Sequence, residues 1–179
     1  TNASSLKPLW LVLLYLVLAA YLYSFSEYGF NVWDEGGYAN GTLRTLNGET
    51  AMEDFNPSGY LPGRYVYGAL FYKLFGVNIQ SLRIGVILIT PAMIFMVYAI
   101  SRRMMPPGFA FLAAGFMLSA PAMYYNRFFT FFCILNLYCL IRCIERIQPQ
   151  RYLHLAGAIL LSGFFKFEVA MFSFVCGVI

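Results

Sequence analysis

The sequence predicts an all-α integral membrane protein: a multi-span helical bundle with a long extracytoplasmic loop carrying interfacial amphipathic helices. Three observations lead there. The 179 residues are 60% hydrophobic and only 11% charged, whereas a soluble domain carries charge on about a quarter of its residues. Apolar runs long enough to cross a bilayer recur along the chain. One long segment, 27–79, interrupts them with six of the eight acidic residues. So little polar surface cannot cover so much apolar material in one small water-soluble core.

The elements follow in order. Residues 1–8 form a cytoplasmic N-terminal segment. The first span is 9–26, in which Leu9–Phe25 carries Ser24 as its one strongly polar residue. At about 1.5 Å per residue, with its flanks, it crosses a hydrocarbon core of roughly 30 Å. Further spans are expected at 80–101, 108–125, 127–147 and 151–166, and 167–179 begins a sixth. Thr90-Pro91 predicts a kink in the second, which neighbouring helices can accommodate, and Pro121 lies near the end of the third. Lys166 and Glu168 either divide the last two or sit inside one long helix.

The loop 27–79 is rich in Tyr, Phe and Leu, so it is not a disordered linker. Gly36–Leu46 reads as a short helix closed by Asn47-Gly48. Gly63–Phe75 reads as a second, with Tyr65, Val66, Ala69, Leu70 and Phe71 on an apolar face and Gly76 closing it. Amphipathic helices beside a span lie naturally in the interface plane, where two of them can roof a cavity between the spans.

Charge gives the orientation and excludes some functions. Alternating spans divide the 12 basic residues evenly between the two sides. Arg102-Arg103 and the Arg142–Arg151 cluster nevertheless crowd short loops, which marks their side as cytoplasmic and places 27–79 outside. The net charge of +4 is scattered and forms no nucleic-acid patch. Cys133, Cys139, Cys143 and Cys176 lie within spans as free thiols and form no metal-binding spacing. The sequons at Asn2 and Asn40 are short enough to arise by chance. The absence of an initial Met and the apolar run at Ile179 lead us to expect processing or a longer polypeptide. No cleavage site follows the first span at the distance a signal peptide needs.

The pair Asp34-Glu35 has two readings. Acidic residues favour helix starts, so the pair can cap the helix that follows. It can equally present carboxylates for chemistry at the outer lip of the first span. Arg83 can be a snorkelling span-end residue. Lys166 with Glu168 is a charged pair near membrane depth, where ionisable residues usually have a function. His154 reads as an interface residue, and Asn136 as an interhelical hydrogen-bonding residue.

The order "WDEGGYANGTLRTLNGE", "NPSGYLPGRYVYGALFYKLFGVNIQSLRIGVIL", "YAISRRM" resembles the N-terminal half of polyprenyl-phosphate-sugar-dependent membrane glycosyltransferases. These are the GT-C-fold family of the protein O-mannosyltransferases and aminoarabinose lipid A transferases. The resemblance runs from about Trp33 to Phe172 and includes "LSAP", "NRF" and "GAILLSGFFKFE". It implies transfer of a sugar from a polyprenyl-phosphate donor to an acceptor outside the membrane, with Asp34 as base and Glu35 orienting it or capping the helix. Arg83, Lys166, Arg64, Arg127 and Tyr60 are the implied contacts to lipid phosphate or sugar. The family often has a basic residue or His before two prolines where this chain has Leu61-Pro62-Gly63; Arg64 then becomes the substitute phosphate contact.

The residue types suit that chemistry. A carboxylate can deprotonate an incoming nucleophile opposite the leaving group, and fixed cations can hold a departing phosphate. Two carboxylates are too few to specify a divalent cation, which stays open. The implied partners are the lipid-linked sugar and membrane lipids. Two alternatives stand beside the enzyme. One is a non-catalytic accessory or scaffold subunit within a larger membrane complex. The other is a transporter, against which the structured loop and the lack of an internal repeat both count.

Overall fold

A computed structural model describes residues 6–57, 59–118 and 127–178. Eight helices account for nearly all of it: α1 (Leu6–Tyr23), α2 (Asp34–Leu46), α3 (Pro62–Phe75), α4 (Ile79–Ser101), α5 (Pro107–Gly115), α6 (Arg127–Glu145), α7 (Pro149–Phe165) and α8 (Phe167–Val178). A 3₁₀ turn, Phe116–Leu118, extends α5, and there is no strand among the described residues. The rest of the expected third span, with the last three residues of "LSAP", and Asn126 lie outside the described residues.

Local chemistry explains the boundaries. Proline opens α3, α5 and α7 at a position whose N–H has no helical partner in any case. Asn78 caps α4 by accepting from the Ser81 amide at 2.9 Å. Gly76 closes α3 with φ +86°, a conformation that suits glycine. Asn47-Gly48 ends α2 as its spacing predicts. The chain breaks at Lys166, whose extended backbone separates α7 from α8, so the last apolar stretch is two helices. α4 runs through Pro91 as one helix.

Two helices are long and apolar enough to cross a membrane, Ile79–Ser101 and Arg127–Glu145; Leu9–Tyr23, Pro107–Leu118 and Phe167–Gly177 are shorter apolar helices. Leu9–Leu14, Phe109, Phe111, Phe164, Phe172 and Phe174 all point outward. Outward-facing apolar side chains at this density suit contact with lipid rather than water. The chain is an integral membrane protein.

The core lies where α2, α3, α4, α6 and α7 meet. Leu22, Tyr38, Tyr65, Tyr72, Leu82, Val86, Phe128, Phe132 and Phe165 are buried together there. Phe128 stacks on Phe165 at 5.5 Å between centroids, and Tyr67 meets Phe128 edge-on at 5.4 Å. α2 and α3 approach closely because glycine faces a side chain from each direction. A Cβ on Gly41 would lie 2.4 Å from the Tyr65 ring, and one on Gly68 would lie 2.7 Å from the Thr42 hydroxyl.

Candidate functional site

The acidic pair divides. Asn31 caps α2: its side-chain oxygen accepts from the amides of Trp33 (3.1 Å) and Asp34 (3.2 Å), and its carbonyl accepts from Glu35 N at 2.9 Å. With the cap supplied, the two carboxylates are free to point elsewhere. Glu35 turns inward. It is 6% exposed and meets Arg83 in a fork, Nε to Oε1 at 2.8 Å and Nη2 to Oε2 at 2.7 Å. Arg83 also donates to the carbonyls of Ser26 and Gly29, so one guanidinium ties α4 to α2 and to the turn after α1.

Asp34 turns the other way. Its carboxylate, half-buried, accepts from Asn31 Nδ2 at 2.8 Å and lines a cavity of about 200 Å³. Trp33, 89% exposed, stands at the same cavity. Tyr38, Arg44, Tyr60, Arg64 and Tyr65 are among the other walls.

Arg64 is the unusual member. It is 3% exposed, with its guanidinium carbon 4.3 Å from the centroid of Tyr38 and 4.0 Å from that of Tyr60. Its Nε and Nη2 are buried without a hydrogen-bond partner among the described residues, and no carboxylate there forms an ion pair with it. Stacking on two rings recovers part of the lost hydration, but an isolated buried cation still costs several kcal/mol by order of magnitude. Tyr38 is no counterion, because burial pushes its hydroxyl far above the ordinary tyrosine range despite the pull of Arg64. A cationic site of this kind suits an anion that arrives from outside.

Lys166 reaches the same place from the break between α7 and α8. Its ammonium donates to the Gly59 carbonyl at 3.1 Å, lies 4.4 Å from the Tyr60 centroid and stands 4.0 Å from Glu168. One ring therefore contacts two cations. The backbone joins these parts as well, since Leu61 N donates to the Phe165 carbonyl at 3.1 Å. Gly63 fits here for a physical reason: a Cβ would come within 2.6 Å of the Phe164 carbonyl. The second proline of the pattern that Leu61-Pro62-Gly63 replaces would collide with α7. Arg127 begins α6 and is buried, outside the cavity lining.

Of the seven residues singled out from sequence, the structure gathers Asp34, Tyr60 and Arg64 at the cavity, with Lys166 against Tyr60. It pairs Glu35 with Arg83. Sequence reasoning missed Tyr38 and Arg44. Their signal was available, because Asp34, Tyr38, Gly41 and Arg44 recur at helical spacing and share one face of α2. Arg44 is held by Glu49, Nε to Oε2 at 2.6 Å, and by the Asp54 carbonyl at 2.8 Å. Among the described residues no three His, Cys, Asp or Glu side chains come together. Glu35 is occupied by Arg83 and by the Asn31 amide at 3.1 Å, so the acidic pair does not converge on a cation.

The site thus places a half-buried carboxylate and an arginine without a carboxylate partner in one cavity of a helical membrane protein. The family model for dolichyl-phosphate-mannose-protein mannosyltransferases matches residues 63–178, and the chain belongs to that family. It is a membrane glycosyltransferase of the GT-C type by family. The match spans α3 to α8, so Arg64, Arg83, Arg127 and Lys166 fall inside it while Asp34 precedes it. Neither curated proteins nor solved structures give a match.

Proposed function

We propose that the protein transfers a sugar from a polyprenyl-phosphate donor to an acceptor on the extracytoplasmic side, with Asp34 as the base. The observation that carries this reading is the cavity shared by Asp34 and the unpaired Arg64. Asp34 takes the proton from the acceptor's nucleophilic group as that group bonds to the anomeric carbon. The bond from that carbon to the phosphate oxygen breaks, the configuration inverts, and the electron pair leaves with the phosphate. Arg64 and Lys166 hold the departing charge once Tyr60 gives up its contacts with them. Glu35 and Arg83 position Asp34 by anchoring the start of α2 and touch neither substrate.

The placement of α3 supports a site at the bilayer surface. Its inner face carries Arg64, while Val66, Leu70, Leu74 and Phe75 are exposed on the outer face. Lys73, exposed in the last turn of α3, can reach the polar boundary while the apolar outer face lies against lipid, where a donor whose tail stays in the bilayer can reach the site.

The test is Asp34→Asn, assayed for transfer from a polyprenyl-phosphate sugar in membranes. The variant keeps the contact with Asn31, so insertion and thermal stability are expected to hold while transfer falls by about 10²–10⁴. Undiminished transfer by a folded variant removes Asp34 from the role of base. Absence of transfer by the unaltered chain would instead favour a non-catalytic subunit.

A further inference from the structure

The opposite end of the bundle holds a second cationic site. The C-terminal ends of α4 and α6 and the start of α7 meet there, bringing together Arg102, Arg103, Arg142, Arg146 and Arg151. Glu145 is the one acidic residue between positions 102 and 151. Arg127 and Arg142 are 15 residues apart on α6, so about 22 Å of helix separates this end from the start of α6, beside the Asp34 cavity.

Between α6 and α7 lies a cavity of about 460 Å³ whose lining is divided by polarity. Arg142, Arg151, His154 and the Tyr138 ring provide a polar end. Met96, Leu135, Leu153, Ala158 and Leu161 provide an apolar body. No carboxylate lines it, and the nearby Glu145 is engaged by Arg103, Nη2 to Oε2 at 3.3 Å. Arg142 lies 5.8 Å from the Tyr138 centroid and has no ion pair among the described residues. Arg151 donates to the Arg142 carbonyl and to Gln148 Oε1 at 3.2 Å, which holds the two arginines together at one rim.

We propose that this cavity binds an anionic glycerophospholipid, with its phosphate between Arg142 and Arg151 and its upper acyl chain along the α6–α7 groove. Charge complementarity argues for an anion, and the apolar body argues for one that carries a hydrocarbon chain. A basic pocket between membrane helices at the bilayer boundary is the setting in which such headgroups are recognised. The site is separate from the one proposed for transfer and does not depend on it.

The experiment is native mass spectrometry of the intact chain in detergent, titrated with phosphatidylglycerol or phosphatidylcholine. The expected result is retention of one phosphatidylglycerol at several-fold lower concentration than phosphatidylcholine. Arg142→Gln with Arg151→Gln abolishes that preference, whereas Arg102→Gln with Arg146→Gln removes equal charge from the same end and keeps it. Gly157→Leu serves as a second variant that preserves both arginines. Gly157 lines the cavity and a Cβ there meets nothing within 4 Å, so leucine at this position is expected to project into the cavity and expel the lipid. Three results overturn the proposal: equal retention of the two lipids, equal loss in the two double variants, or full displacement by inorganic phosphate alone. The last would reveal a free-anion site with no use for the groove.

Discussion

Two buried arginines, 19 positions apart, are treated in opposite ways. Arg83 is 4% exposed and its fork is filled by Glu35 and backbone carbonyls. Arg64 is 3% exposed, and what it has been given is two aromatic faces. A saturated buried cation joins elements; an unsaturated one keeps unused binding capacity inside the fold. Stability alone would favour an apolar residue at position 64, since a buried charge without a partner is a net cost. The same division separates Glu35 from Asp34, although they are neighbours in sequence.

The largest expected effect falls on the saturated site. Arg83→Met leaves the buried Glu35 carboxylate without its counterion, with only the Asn31 amide still donating to it, which costs about 3–5 kcal/mol. It also frees the turn after α1, because the contacts to Ser26 and Gly29 are lost. Adding Glu35→Gln should recover most of the loss, because the buried charge is then gone as well. Denaturant unfolding in detergent reads both variants. If Arg83→Met unfolds at the wild-type midpoint, the pair contributes nothing and the contrast with Arg64 fails.

Next comes Arg64→Met, where the effect should move from folding to function. Stability is expected to stay level or rise, while sugar transfer drops by roughly 10²–10³ through loss of a donor to the leaving phosphate. The readout is unfolding midpoint against turnover in the same preparation. A large fall in stability would mean that the stacking between Tyr38 and Tyr60 is structural, and that the guanidinium needs no incoming anion.

How far this contrast was legible in the sequence differs by level. Composition and apolar runs were sufficient for the helical membrane class. Asn47-Gly48, Gly76 and the Lys166 division set helix ends through local chemistry, which a sequence displays directly. The destination of each charge was not displayed. Asp34 and Glu35 are adjacent, and only the rotation of α2 about its axis sends one to the cavity and the other to Arg83. That rotation is set by the close approaches at Gly41 and Gly68 to residues 24 and 26 positions away, which no local pattern records. The family resemblance implies a phosphate contact for Arg83, and its local sequence suggests only a snorkelling span-end residue. The side chain it meets in the structure, Glu35, lies 48 positions earlier.

The smallest effect is a titration, and it tests why Arg64 lacks a counterion. Of the 14 tyrosines, Tyr38, Tyr65, Tyr67 and Tyr72 have hydroxyls raised by burial, Tyr67 to about 12. Each is harder to ionise folded than unfolded. Their contribution to stability is therefore fully present below pH 10 and is lost as pH rises through the folded values. Absorbance at alkaline pH should show these four tyrosines ionising above the ordinary tyrosine range, as the protein unfolds. Arg64 pulls the Tyr38 hydroxyl down against the larger effect of burial, so Arg64→Met should delay Tyr38 further. If Tyr38 instead ionises within the ordinary tyrosine range, a tyrosinate lies against the guanidinium, and Arg64 is a second paired arginine like Arg83.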